Sequence, residues 1–274
     1  MRPPKPLIVL MTDFGLQDHY VGVMKGVIAG ISPFAGIIDL THGITPQNIL
    51  QGSLQLGLSA PYFPDGTIFV AVVDPGVGTK RKAIALVTEK QIFIAPDNGL
   101  LSSVMSMQRV DNCYIITNPS CMLTVQSTTF HGRDVFAPAA AHLANGITPA
   151  TLGNTVNPEH CIRIPLPENR TPDGELSWQG VILYADVYGN LITSFTDDQL
   201  EKKGKKAVGV FLKNGDFVPL RRTYGEVAEG EPLIYGGSSG FLEIAVRNDN
   251  ASLTLGLKPG DNIELRVQSQ NTQT

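Results

Sequence analysis

Three short segments carry side chains whose chemistry exceeds what a loop requires. Thr12-Asp-Phe-Gly-Leu-Gln-Asp18 follows an apolar run at residues 7–11. Asp74-Pro-Gly-Val-Gly-Thr79 follows another at 67–73, with Arg81 close behind. Phe130-His-Gly-Arg-Asp134 leads into an alanine-rich stretch. Asp13 fits two roles: a carboxylate accepts both hydrogen bonds of a vicinal diol such as a ribose, and Asp at a strand-to-helix turn also caps helices. Asp18 directly precedes the helical pattern and fits a cap as well. Asp74 and Arg81 together can hold and polarise a polar nucleophile. The glycines between them suit a tight turn and match neither the dinucleotide nor the phosphate-loop fingerprint. His131 stands at a loop-to-helix junction, where an imidazole serves either structure or proton transfer. Asp13, Asp18, His19, His42, His131 and Asp134 are the right types for a hydrolytic metal site, yet no HExxH-like spacing orders them. No GxSxG elbow marks a serine hydrolase. The residues alone point to a small-molecule enzyme.

The elements that must position these groups divide into two kinds. Residues 7–11, 36–40 and 67–73 read as buried strands, continuous in apolar character as when helices cover both faces. Val21, Met24, Val27, Ile28 and Ile31 repeat at helical spacing, and 49–58 and 134–145 also read as helices. Residues 83–88 and 91–95 form a hairpin pattern. Prolines 158, 165, 167 and 172 then mark a linker. Beyond it, 181–185, 191–195, 207–212, 241–246 and 263–267 read as short strands between Gly, Asn and Asp turns. The expectation is an α/β domain over residues 1–160, with a mostly parallel sheet, and a small all-β barrel over 173–274. Ligands of such sheets gather outside the carboxyl ends of the strands, where the three segments fall.

Composition narrows the class further. The chain has 274 residues, 42% hydrophobic and 17% charged, enough apolar content for full cores. A net charge of −4 offers no electrostatic footprint for nucleic acid or an anionic membrane. No apolar run has membrane-spanning length, and the basic start lacks a signal-type core. Cys113, Cys121 and Cys161 are odd in number and lack CxxC spacing, as expected of buried, reduced thiols. The expected setting is cytoplasmic.

The same segments resemble one family, the S-adenosyl-L-methionine (SAM) hydroxide adenosyltransferases, or SAM hydrolases, kin to the SAM-dependent fluorinase and chlorinase. The resemblance runs through Thr12-Asp-Phe-Gly, Asp39-Leu-Thr-His-Gly-Ile-Thr-Pro46, Asp74-Pro-Gly-Val-Gly-Thr79, Ala95-Pro-Asp-Asn-Gly-Leu-Leu101, Phe130-His-Gly-Arg-Asp134, Asp186-Val-Tyr-Gly-Asn190 and Ser238-Ser-Gly-Phe-Leu-Glu-Ile-Ala245. It implies the α/β-then-barrel fold and the conversion of SAM and water to adenosine and L-methionine. It places a catalytic Asp-Arg-His set on Asp74, Arg81 and His131. It assigns Asp13 to the ribose diol, Asp18 and Asp186 to the methionine ammonium, Ser238 to its carboxylate, and Tyr188 and Asn190 to adenine. SAM is then substrate, with no cofactor or metal.

Departures accompany the resemblance. The fluorinase has Tyr at the positions of Asp74 and His131, and a halide-contacting Ser at Gly132, where the chlorinase has Gly. Its ring near the ribose aligns with Gln47 and its carboxylate-binding Arg with Ser239; Val246-Arg-Asn-Asp-Asn250 also differs from the hydrolase pattern. The alternatives are a halide-using SAM transferase and a SAM- or adenosine-binding sensor with little turnover. The family forms trimers with sites between neighbouring subunits, so the resemblance implies a homotrimer.

Overall fold

A computed structural model describes residues 6–124, 127–170 and 176–269. The basic start at 1–5 and Pro172 of the expected linker lie outside them. Contacts divide the chain into two compact units, Met1–Pro165 and Leu166–Thr274.

The first unit holds six strands, β1 (Leu7–Thr12), β2 (Gly36–Thr41), β3 (Ile68–Val72), β4 (Ala83–Thr88), β5 (Ile92–Pro96) and β6 (Val110–Ile115), in the order β2-β1-β3-β5-β4-β6. β2, β1, β3 and β5 run parallel, whereas β4 pairs antiparallel with both β5 and β6. Helices α1 (Tyr20–Ile31), α2 (Ile49–Ser59), α3 (Ser102–Met107) and α4 (Ala137–Ala144) cover the sheet. The continuous apolar runs follow from this sandwiching, because successive side chains point to opposite faces. Ile8, Leu10, Val70 and Val72 join Met24, Ile28 and Ala140 in one core layer. Val9, Met11, Phe69 and Ala71 join Leu56 and Val104 in the other.

Two local readings change. The expected buried strand at 36–40 is an edge strand paired, among the described residues, only with β1, and its middle residues, including Asp39, are exposed. The helix expected from residue 134 begins with a π-helical turn, Gly132–Phe136, before α4. Pro138 has no N–H to give the Asp134 carbonyl, which accepts from Leu123 N instead, at 2.9 Å.

The second unit is an antiparallel sheet of β7 (Ser177–Ala185), β8 (Leu191–Thr196), β9 (Lys205–Phe211), β10 (Phe217–Pro219), β11 (Pro232–Gly236), β12 (Phe241–Val246) and β13 (Asn262–Ser269), with short helices α5 (Asp197–Lys202) and α6 (Ala251–Thr254). Its order is β10-β9-β13-β7-β8-β12-β11. The ends approach closure where Arg221 N donates to Ile234 O at 2.8 Å, giving the expected barrel-like form. Trp178, Phe195, Val210 and Leu265 fill its core. β10 and β11 escaped the sequence pattern; each carries proline at one end, which suits an edge position and weakens the strand signal. All three cysteines are buried free thiols, with Cys113 and Cys161 Sγ atoms 3.6 Å apart.

Leu10 is fully buried in β1. Leu10→Ala is expected to lower unfolding free energy by about 2–5 kcal/mol in urea titrations; a loss under about 1 kcal/mol would contradict this packing.

Candidate functional site

The loop after β3 folds back so that Arg81 meets Asp74. Val77 N bonds the Asp74 carbonyl and Thr79 N the Gly76 carbonyl, each at 3.1 Å, making consecutive tight turns. Gly78 is required there: its φ is +77°, and a Cβ would lie 2.5 Å from the Thr128 carbonyl oxygen. The Gly-rich segment is therefore a turn builder that packs against the loop leading to His131.

Arg81 Nε donates to both Asp74 oxygens at 2.9 Å, and Nη2 donates to Oδ2 as well. The two side chains are only 8% and 5% exposed. Nη2 also lies 2.8 Å from His131 Nδ1. A guanidinium only donates, so Nδ1 accepts and the neutral ring carries its hydrogen on Nε2. Burial, then the charge of Arg81, lowers the His131 pKa below the ordinary imidazole value, although Asp74 and Asp134 pull the other way. The Arg81 guanidinium carbon sits 5.3 Å from the centre of the Phe136 ring.

Asp74 and His131 open onto a cavity of about 350 Å³, which Asp13, Phe14, Gln47 and Gly132 also line. Asp13 is no helix cap: its Oδ2 accepts the Gln47 N–H at 2.8 Å. Gln47 holds a left-handed φ of 66°, a conformation costly for a non-glycine residue and frequent at functional sites. Asp18 is exposed outside that lining, and His19, not Asp18, occupies the N-cap of α1. Phe14, Tyr20 and Phe130 form a ring cluster with centroids 5.1–6.1 Å apart. A Cβ on Gly132 would stand 3.1 Å from Met24 Sδ and 3.4 Å from the Phe14 ring.

The metal-type residues separate. His42 turns to Thr12 and Asp39, and Asp134 accepts from Arg133 and Ser127 N. Burial would raise the Asp134 pKa, but those bonds hold its carboxyl below the usual range. Among the described residues no three His, Cys, Asp or Glu side chains converge on a metal position.

The second unit has its own cavity, about 500 Å³, lined by Tyr188, Asn190, Tyr224, Val246, Asn248 and Asp249. Asp186 shapes the Tyr188–Asn190 turn: Oδ1 accepts from Tyr188 N at 2.9 Å and Asn190 N at 2.8 Å, and Oδ2 from Asn190 Nδ2 at 3.0 Å. Tyr188 is 77% exposed, which presents its ring outward. Tyr224 was not among the expected residues; its hydroxyl lies 2.6 Å from that of Tyr235, which donates to Glu243. Burial, with nearby Asp186 adding its negative charge, raises the Glu243 pKa even though Tyr235 opposes the shift. Ser238 is exposed in the turn between β11 and β12. Arg247 donates to Val227 O at 2.7 Å. A cavity of about 560 Å³ beside Arg170, Lys213 and Glu264 involves none of the expected residues.

Residues 8–153 match the SAM hydroxide adenosyltransferase N-terminal domain and residues 180–264 the C-terminal domain. A protein named (R)-S-adenosyl-L-methionine hydrolase from Thermus thermophilus is 39% identical, covering 97% of this chain and all of that protein. A protein named fluorinase from Actinopolyspora mzabensis is 27% identical over 95% of this chain and 97% of its own. The crystal structure of an uncharacterized conserved protein from Thermotoga maritima superposes with a TM-score of 0.86 at 37% identity, covering 94% of this chain and 99% of that one. The chain belongs to the SAM hydroxide adenosyltransferase family.

Proposed function

We propose that the protein hydrolyses SAM to adenosine and L-methionine by attack of water at C5′ of the ribose. The observation that carries this reading is the buried Asp74–Arg81 pair, bonded to His131, with Asp74 and His131 opening onto the cavity that Asp13 also lines. The sulfonium leaves as a neutral thioether, so the difficult partner is water, whose pKa is about 15.7. His131 cannot accept through Nδ1, which Arg81 fills, and Nε2 carries a hydrogen; it orients the water as a donor. Asp74 is then the proton acceptor as the C–O bond forms, and Arg81 stabilises the hydroxide character of the nucleophile. Asp13 takes the ribose diol. Tyr188 and Asn190 take adenine, Asp18 and Asp186 the ammonium, and Ser238 the carboxylate. Asp186 reaches its role chiefly through the turn it braces. A halide would face the Asp74 carboxylate, which repels it; a glycine at 132 does not by itself exclude chloride, so Asp74 together with His131 carries the preference for water.

Incubation with SAM in oxygen-18 water is expected to place the label in the 5′-hydroxyl of adenosine. Unlabelled adenosine, 5′-haloadenosine that scales with chloride, or SAM bound and unchanged for hours would each overturn the reading. Asp74→Asn, which keeps the side chain's shape, is expected to cut kcat by about 10²–10⁴-fold with SAM binding still measurable.

The rate has a defined dependence on pH. Because the folded protein favours neutral His131, the acid limb of kcat/KM is expected to have its midpoint below about 6.5, the ordinary imidazole value. Stability runs the same way. As pH falls through that value the unfolded chain takes up the proton first, so this contribution is present above it and is lost below. A midpoint at or above 6.5 that His131→Asn abolishes would contradict this assignment.

The family resemblance further supports a homotrimer in which one chain's first unit meets a neighbour's second. No helix among the described residues is long and apolar enough to cross a membrane, and a cytoplasmic setting fits a SAM-consuming enzyme. Asp74→Asn and Tyr188→Ala chains, each inactive alone, are expected to regain activity at roughly a quarter of sites when refolded together, by random pairing of intact halves. Mixtures that stay inactive, or a light-scattering mass of one chain, would reject shared sites.

A further inference from the structure

In the segment Asp39-Leu-Thr-His-Gly-Ile-Thr-Pro46, His42 has no part in the reaction just described, yet it is only 4% exposed. It grips the loop after β1 at two points. Its Nδ1 lies 2.8 Å from Thr12 Oγ1, and its backbone carbonyl accepts the Gly15 N–H at 2.8 Å. Asp13 and Phe14, which line the cavity, lie between those two points. Thr12 Oγ1 also accepts the Phe14 N–H at 3.1 Å, so this one side chain ties His42 to the backbone of the loop. The other ring nitrogen, Nε2, lies 3.1 Å from Asp39 Oδ1 but off the line of a hydrogen bond. Asp39 Oδ2 in turn accepts from Lys25 Nζ at 2.6 Å. The same two loops meet once more where Gln47 N donates to Asp13 Oδ2.

A carboxylate that must accept both hydroxyls of a diol works only when held within about 0.5 Å of its place. Residues 16–19 between this loop and α1 are exposed, and on that side the loop is held by the Phe14 ring against Tyr20 and Phe130, which leaves the Asp13 end to His42 and Gln47. We propose that His42 is a positioning residue of the SAM site, fixing residues 12–15 so that the Asp13 carboxylate is presented to the ribose. The proposal rests on the reading of the cavity as a SAM site.

Steady-state kinetics and SAM titrations on His42→Ala, His42→Asn, Thr12→Val and Asp13→Ala test it. His42→Ala is expected to raise KM and Kd about tenfold, the effect of one lost buried hydrogen bond, with kcat changed less than about threefold. Asn places an amide, able to accept or donate, near the Nδ1 position, so His42→Asn is expected to restore most of the affinity. Thr12→Val, which keeps the buried shape, is expected to match His42→Ala. Combined with Asp13→Ala, His42→Ala is expected to add nothing, because it acts through that carboxylate. Wild-type KM in His42→Ala, no recovery with His42→Asn, or effects that multiply in the Asp13→Ala background would overturn the proposal. If His42→Ala melts below the assay temperature, an unchanged KM in Thr12→Val overturns it instead. Wild-type protein that yields no adenosine would refute the SAM reading itself; an active wild type with unaffected variants would refute only the role of His42.

Discussion

A buried guanidinium sets the terms for the first unit. Removing Arg81 from water is costly unless its charge and its donors are met, and breaking such a pair strands a charge. Asp74 supplies the charge and receives three of its hydrogen bonds, His131 accepts another, and Phe136 offers a ring face. Meeting those demands dictates the loop. The chain must reverse within seven residues, which needs consecutive tight turns and a glycine pressed against Thr128. It also bears on protonation, since burial, and then the charge of Arg81, lowers the His131 pKa below the ordinary imidazole value. One ion pair thus fixes the loop's geometry and the tautomer of the imidazole beside it.

Much of this was legible in the residue order. The runs at 7–11 and 67–73 had to be sandwiched strands, because no exposed face can be apolar at every position; the two core layers divide them residue by residue. Asp74 and Arg81 stood out as types able to cooperate, whereas His131 fitted structure or proton transfer and joined them only through the family resemblance. Their union across 50 residues was not legible from spacing, since it depends on loops that only the assembled sheet brings together. Asp13 shows the limit well. Locally it fitted a cap or a ligand group, and a contact with Gln47, 34 residues away, removes the cap. The edge character of β2 and the π turn before α4 were hidden for a related reason: each depends on which neighbours are absent or occupied.

The second unit illustrates a different economy of side chains. Asp186, given a substrate role by resemblance, has both oxygens engaged by its own turn. Asn190 connects that turn to Tyr224 at 3.4 Å, and Tyr224 leads through Tyr235 to Glu243. A continuous polar chain therefore links the turn bearing Tyr188 to the strand after Ser238. In a half-buried setting such chains rigidify when every member is satisfied. Glu243, whose pKa burial raises, still accepts a bond from Tyr235. The exposed Tyr188 ring is thereby set on a braced base, although nothing beside it in sequence announces the brace.

The charge balance of the proposed reaction explains why such a site suits water. SAM brings a positive sulfonium, and cleavage with water ends in two molecules without that charge plus one proton. Charge therefore disperses along the reaction path instead of building up, and no strongly charged pocket is required for the leaving group. A halide would have to shed its hydration before meeting the sulfonium, next to a carboxylate that repels it. Water enters neutral and requires only orientation and, as the C–O bond forms, an acceptor for its proton. In the proposed mechanism an ion-paired Asp74 beside a neutral His131 would provide those two things while keeping the array close to electrically neutral. That near-neutrality lets the Asp74–Arg81 pair stay largely buried while Asp74 and the part-buried His131 open onto the cavity.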